Sequence, residues 1–297
     1  FAPAQGLLGL VRNLQEARVS VARVAEVFGP DDHAAAPVVD VAMTAADNNV
    51  IVLRDVTFGY PGKPPVFRGA ELRIDRSERV GLFGASGAGK STLVHLLFGL
   101  RQPTAGSVRI SGQPAHSRHS AGDRNALGYA GAEPFLLHAT VEENLRYGNP
   151  GATREDLERA VALAEAGSFI NALPDGYGTV IGGRGLALSD GQRQRLGLAR
   201  LFLRNPRILV LDEAFSGLDL ATEARIRRHL WEAFPDCTAL VISHRPVGLA
   251  DFDRIVLLHA GRFAAVAAEE LGLLLMPDRS IDGVAAFAGM PDIARGN

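Results

Sequence analysis

The 297-residue chain carries 31 lysine and arginine residues against 33 aspartate and glutamate, a net charge of -2, with 47% hydrophobic and 22% charged residues and an isoelectric point near 6.5. That balance is ordinary for one large or two modest globular domains and gives no electrostatic case for nucleic acid as a partner. The one cysteine, Cys237, excludes an internal disulfide, and no apolar run approaches the roughly 18 residues of a complete transmembrane helix.

In chain order, Leu7, Leu10, Val11, Leu14, Ala17, Val21, Val24 and Phe28 recur at steps of three and four, which predicts one amphipathic helix over 1–28. Mixed acidic and basic residues on its polar face favour packing on protein over lying in a membrane surface. Gly29-Pro30 stops it, and a polar linker rich in Ala, Asp and Asn follows to 48. Starting at Phe1 without a signal-peptide pattern, the chain is expected to be a piece of something longer.

From Val50 to about Gly261, apolar β-rich runs alternate with helical patterns. Strands are predicted at Ile51 to Leu53, Val56 to Phe58, Val80 to Phe83, Ser107 to Ile110, Ile208 to Leu211, Ala239 to Ile242 and Ile255 to Leu258. Helices are predicted at about 153–165, 191–204 and 220–234. Such alternation argues for an α/β sheet with its ligand at the carboxyl ends of the strands. Cys237, just before an apolar run, reads as a small core residue.

Between one of those strands and a helix beginning near Gly89 lies Gly84-Ala85-Ser86-Gly87-Ala88-Gly89-Lys90-Ser91-Thr92. Gly, four residues, then Gly-Lys-Ser is the spacing of a phosphate loop. Glycines let backbone N–H groups turn inward around phosphate oxygens, Lys90 supplies a charge to the outer phosphates, and Ser91 offers a hydroxyl to Mg²⁺. The helix dipole points its positive end at the same anion. Further on, the strand Ile208-Leu209-Val210-Leu211 ends in Asp212-Glu213. There Asp212 can hold Mg²⁺, usually through water, and Glu213 can orient or deprotonate an attacking water.

With those two sites goes a third, and together they carry a resemblance: GASGAGKST at 84–92, LSDGQRQRLGLAR at 188–200, ILVLDEAFSGLD at 208–219, and His244 after a strand. The chain resembles the ATP-binding cassette (ABC) ATPases, and among them the nucleotide-binding domain of exporter-type transporters. The resemblance spans about residues 49–265. It implies a P-loop NTPase (RecA-like) core with an antiparallel β subdomain and an inserted α-helical subdomain at about 133–200, within a domain over 49–270. The helix over 1–28 would continue from a missing transmembrane domain, and 271–297 would be a tail of unknown role.

The same resemblance assigns roles. Tyr60 would stack on adenine. Ser189, Asp190, Gly191 and Gln192 would face the ATP of a second nucleotide-binding domain in a head-to-tail homo- or heterodimer. Asp219 would lie in the loop that crosses that interface, and His244 would hold the γ-phosphate. ATP and Mg²⁺ would be the cofactors, Ser91 and Asp212 the metal-side residues, and Glu213, His244 and Lys90 the catalytic ones. The setting would be the cytoplasmic face of the cell (inner) membrane, as part of an integral transporter.

Three departures bear on that reading. Ala132 stands where exporters usually have a Mg²⁺-touching glutamine; Glu133, one residue along, or water would have to substitute. Gly183 stands where exporters often have a glutamate linking the two halves. Asp190 replaces a glycine, and a carboxylate about 6 Å from a phosphate charge would cost about 3 kcal/mol at an effective dielectric of about 20. Two further readings therefore stay open: a catalytically impaired, nucleotide-gated half of a heterodimeric transporter, and a non-transport ABC ATPase. The transported substrate is not written in this chain.

Overall fold

The computed structural model describes residues 48–117, 126–183 and 185–274. The helix expected over 1–28, all but the last residue of the linker to 48, and 275–297 of the expected tail lie outside them.

Two sheets organise the described chain. The first is antiparallel: β1 (Asn49–Phe58), β2 (Phe67–Asp75), β4 (Ala105–Ile110) and β5 (Gln113–Pro114) in the order β2-β1-β4-β5. The two short strands expected at 51–53 and 56–58 are one strand, bent by a bulge. Its pairing register shifts between Leu53 and Val56, where Asp55 takes φ +48°. Facing the bulge is Gly106 (φ +79°), where a Cβ would stand 2.2 Å from the Asp55 carbonyl oxygen, so the bend needs a glycine beside it. β2 was not among the predicted strands. Its sequence nonetheless alternates, with Phe67, Ala70, Leu72 and Ile74 buried and Arg68, Glu71, Arg73 and Asp75 exposed.

The second sheet has six strands: β3 (Arg79–Phe83), β6 (Leu127–Gly131), β9 (Ile208–Asp212), β10 (Thr238–Ile242), β11 (Arg254–His259) and β12 (Arg262–Val266), ordered β12-β11-β3-β10-β9-β6. All neighbours are parallel except β11 and β12. A parallel sheet must be covered on both faces, and β9 records this residue by residue. Ile208 and Val210 belong to the apolar core shared with the antiparallel sheet and α1 (Lys90–Leu97). Leu209 and Leu211 belong to the core under the helical elements. β10 divides in the same way, Leu240 and Ile242 against Ala239 and Val241. These four β9 side chains are at most 2% exposed, and truncating Ile208, Leu209 or Leu211 to alanine costs about 2–5 kcal/mol.

The remaining α-helices among the described residues are α2 (Val141–Arg146), α3 (Arg154–Leu163), α4 (Gly167–Asn171), α5 (Asp190–Arg204), α6 (Leu220–Ala233) and α7 (Ala268–Leu274). A small hairpin of β7 (Ala139–Thr140) and β8 (Val180–Ile181) brackets α2 to α4. Local sequence fixes where several helices start. Thr140 with Glu143, Thr153 with Asp156, and Ser189 with Gln192 form reciprocal capping boxes at α2, α3 and α5.

Candidate functional site

Residues 84–89 run from the end of β3, at the centre of the parallel sheet, to the start of α1. Their glycines are used in different ways. At Gly84 a Cβ would stand 2.7 Å from the Leu258 carbonyl oxygen, and at Gly89 (φ +113°) it would stand 2.6 Å from Val66 Cγ1. Gly87 (φ +79°) faces open space, so the requirement there is the backbone angle alone. Lys90 Nζ donates to the carbonyl oxygens of Gly84 (2.8 Å) and Ala85 (3.0 Å). The loop thus holds its own cation across its mouth.

A cavity of about 460 Å³ opens beside this loop. Ser86, Gly87, Gly89, Lys90, Ser91 and Thr92 line one side, and Asp212 and Glu213 line the other. The sheet explains the second wall. Asp212 is the last residue of β9, paired in parallel register with Ile242 of β10, so both strands end at the same edge. Glu213 follows with φ +53°, its N–H donating to the Ile242 carbonyl (3.0 Å). A left-handed turn at a non-glycine residue costs about 1–2 kcal/mol, and here it swings the carboxylate toward β10. His244, two residues past β10, meets it: Nδ1 lies 3.5 Å from Glu213 Oε1. Burial, and then the neighbouring Glu213 charge, push the Asp212 carboxyl above the usual range, while Lys90 and His95 pull it back.

Ala132 and Glu133 also line the cavity. The methyl group of Ala132 offers nothing to a ligand, but its carbonyl oxygen accepts a hydrogen bond from Gln194 Nε2 (3.0 Å). Gln194 is 2% exposed and is the functional-looking residue that the sequence reading missed. Its Nε2 also donates to Ser216 Oγ (2.9 Å), and its Oε1 accepts from the Gly217 N–H (2.8 Å). One side chain on α5 therefore joins the loop after β6 to the loop after β9. The only sequence signal was an amide on the buried stripe of α5, among Leu198 and Leu201.

The other sequence-predicted residues fall elsewhere. Tyr60 is not among the cavity's lining residues. Its hydroxyl is 3.3 Å from Thr92 Oγ1 and 3.5 Å from His95 Nδ1, and its ring packs edge-on against Phe58. Ser189 to Gln192 also lie away from this cavity. Ser189 Oγ accepts from the Gln192 N–H (3.3 Å), and Gln192 Oε1 accepts from the Ser189 N–H (2.9 Å). Asp190 turns outward, 73% exposed, into an ion pair with Arg193 one helical turn on. Gly191 packs on Gly217, whose carbonyl oxygen would be 2.7 Å from an added Cβ. Asp219 caps α6, accepting from the Thr222 N–H (3.0 Å), and its hydrogen bonds with Thr222 hold its carboxyl below the usual range. Gly183 has φ +48° and faces His138, whose Nδ1 is 3.0 Å from the Gly182 carbonyl oxygen.

A glycine-turned loop from the central parallel strand into a helix, opposite an acidic strand end one strand removed, defines a P-loop nucleotide-binding domain. Comparison with known proteins narrows the class. Residues 67–216 match the ABC transporter family. A multidrug efflux ATP-binding/permease protein of Mycobacterium bovis is 36% identical over 264 residues, covering 89% of this chain and 22% of that protein. A mitochondrial potassium channel ATP-binding subunit of Xenopus tropicalis is 41% identical over 217 residues, covering 72% and 32%. Among solved structures, a bacterial Atm1-family ABC exporter with ATP bound aligns at TM-score 0.73 and 32% identity, over 95% of this chain and 49% of that one. The chain belongs to the ABC transporter family and carries an exporter-type ATP-binding domain. It spans about a fifth to a third of the two curated relatives, and no described helix is long and apolar enough to cross a membrane.

Proposed function

We propose that this chain hydrolyses ATP to power transmembrane export, through closure of its domain over 49–270 on a second nucleotide-binding domain. The observation that carries the reading is the meeting of Glu213 and His244 at 3.5 Å beside a cavity whose facing wall is Lys90 and its loop. In that geometry Glu213 takes a proton from water as the water oxygen bonds to the γ-phosphorus and the bond to the β-γ bridging oxygen breaks, leaving ADP and phosphate. Lys90 counters charge on the outer phosphates, and His244 donates to a γ-phosphate oxygen.

Mg²⁺ fits the residues present. Asp212 sits where burial disfavours its charge, and Ser91 brings a hydroxyl to the same cavity. An ion of this kind takes most of its oxygens from phosphates and water, so one carboxylate and one hydroxyl suffice from the protein. When bound, it would supply positive charge against the phosphates, held by Asp212 and Ser91.

The proposed partners rest on residues that do not line this cavity. Ser189, Gly191 and Gln192 at the start of α5, with Asp219 at the start of α6, would meet the other domain's nucleotide and crossing loop. Tyr60 would stack on the adenine. A transmembrane partner is supported by an apolar groove of about 560 Å³ beside three exposed side chains, Leu100, Phe135 and Tyr147 (67%, 72% and 66%). The helix over 1–28 would join such a partner, at the cytoplasmic face of the membrane.

Ala132 favours one second reading, because a cavity wall without a ligating side chain at that position suits an impaired half of a heterodimer. The outward pairing of Asp190 with Arg193 counts against an added penalty from that charge. Mg-ATP hydrolysis by the full chain, alone and as Glu213→Gln, across protein concentrations, decides between them. Turnover that rises faster than linearly and vanishes in the variant establishes a hydrolytic homodimer. Tight ATP binding without turnover in either form establishes the impaired half.

A further inference from the structure

The segment that presents His244 is tied down by a partly buried ionic cluster that the proposed reaction does not use. Arg227, on α6, is 4% exposed. Its Nη1 donates to the Val247 carbonyl (2.6 Å), its Nη2 donates to the Gly248 carbonyl (2.7 Å), and Nη2 also pairs with Asp251 (2.8 Å). The guanidinium lies 5.2 Å from the centre of the Phe252 ring. Glu223, one turn earlier and 5% exposed, stands 3.6 Å from Arg227 and also 3.6 Å from Arg245, the residue after His244. Two cations and two carboxylates balance, with Arg227 and Glu223 buried where a lone charge would be costly and Arg245 and Asp251 partly open to water.

Gly248 completes the device. It has φ +64°, and a Cβ there would stand 2.2 Å from the Arg227 guanidinium carbon. The guanidinium lies flat on the glycine, and no other residue would let it. On the other side of His244, the Ser243 N–H donates to the Leu82 carbonyl (3.1 Å), and Ser243 Oγ accepts from the Arg245 N–H (3.0 Å). His244 is half exposed, yet the backbone on both sides of it is fixed.

We infer that Arg227, seated on Gly248, is a positioning residue that sets the reach of His244 toward the γ-phosphate and Glu213. The inference rests on the role given to His244 above. Near-attack geometry is steep enough that a shift of about 1 Å costs up to about a hundredfold in rate. Substitutions that unseat the guanidinium should therefore lower kcat while leaving the phosphate loop and the KM for ATP alone.

The test uses the full chain in its assembled form, with Gly248→Ala, Arg227→Gln, Arg227→Lys and His244→Ala. Gly248→Ala is the sharpest variant, because it keeps every charge and touches no group of the nucleotide cavity. Expected is a fall in kcat of about tenfold or more for Gly248→Ala and Arg227→Gln, with KM for ATP within about twofold. Arg227→Lys, which keeps the charge but cannot reach both carbonyls, should fall between wild type and Arg227→Gln. In a His244→Ala background neither substitution should lower the residual turnover further. Backbone amide exchange over 244–251 should rise in both variants and stay unchanged in β9. Wild-type kcat despite faster exchange, or an equal loss in the His244→Ala background, would overturn the positioning role. Wild-type turnover in His244→Ala alone would instead remove the role of His244, and the inference with it.

Discussion

Replacing Gln194 by leucine tests whether one buried amide holds two loops of the site together. The three hydrogen bonds it makes, to the Ala132 carbonyl, the Ser216 hydroxyl and the Gly217 N–H, are each worth about 0.5–1.5 kcal/mol net. Leucine has similar bulk and returns about 1–2 kcal/mol of apolar burial. Ser216 and Gly217 are exposed, so water re-satisfies them in the variant, whereas the Ala132 carbonyl is only half open. The expected net loss is about 1–3 kcal/mol, read as a lower urea midpoint at unchanged m-value. A double-mutant cycle with Ser216→Ala should show a coupling of about 0.5–1.5 kcal/mol, since the two side chains share one bond. A loss below about 0.5 kcal/mol, or strict additivity with Ser216→Ala, would refute the claim that Gln194 joins these loops.

Two further outcomes can be stated. Asp212→Asn should raise the melting temperature at pH 7 while abolishing Mg-ATP hydrolysis. Burial and Glu213 hold this carboxyl above its unfolded value of about 3.9, so the folded state binds the proton more tightly. Its contribution is most favourable below that value and is lost as pH rises through the folded one, so the difference between variant and wild type should shrink toward pH 4. Cys237 is buried, and desolvation pushes its thiol up to about 11. At pH 8 about one molecule in a thousand carries the thiolate, so a thiol reagent should label the native chain only at the rate of opening and should label it at once in denaturant.

Much of this architecture was legible because it depends on short-range pattern. The apolar run of β9 ending in Asp212-Glu213 and the loop at 84–92 are contiguous, and each declares both its element and its chemistry. β2 escaped because Gly69 and its alternating charges dilute an apolar signal that only a period-two reading extracts. The bulge at Asp55 was invisible because it depends on Gly106, fifty residues away. Gln194 escaped for a related reason: its partners lie 62 and 22 residues off, and nothing local distinguishes an amide that bridges loops from one that faces water. The pairing of Asp190 with Arg193 was within reach, since an i, i+3 opposite-charge pair on a helix is a local rule.

The cap at the start of α5 fixes more than the place where that helix begins. A serine hydroxyl has one hydrogen to give and two lone pairs to receive with. At Ser189 a lone pair is already committed to the Gln192 N–H, so the hydrogen remains available to be donated elsewhere. Folding of the helix therefore leaves the displayed group a hydrogen to donate as well as its second lone pair, so an anion brought to it would meet a donor. Asparagine, also a favoured cap, could keep a donor; aspartate would start the helix equally well and reverse that sign. At this position the cap alone would admit aspartate, and serine meets the same requirement while keeping a donor.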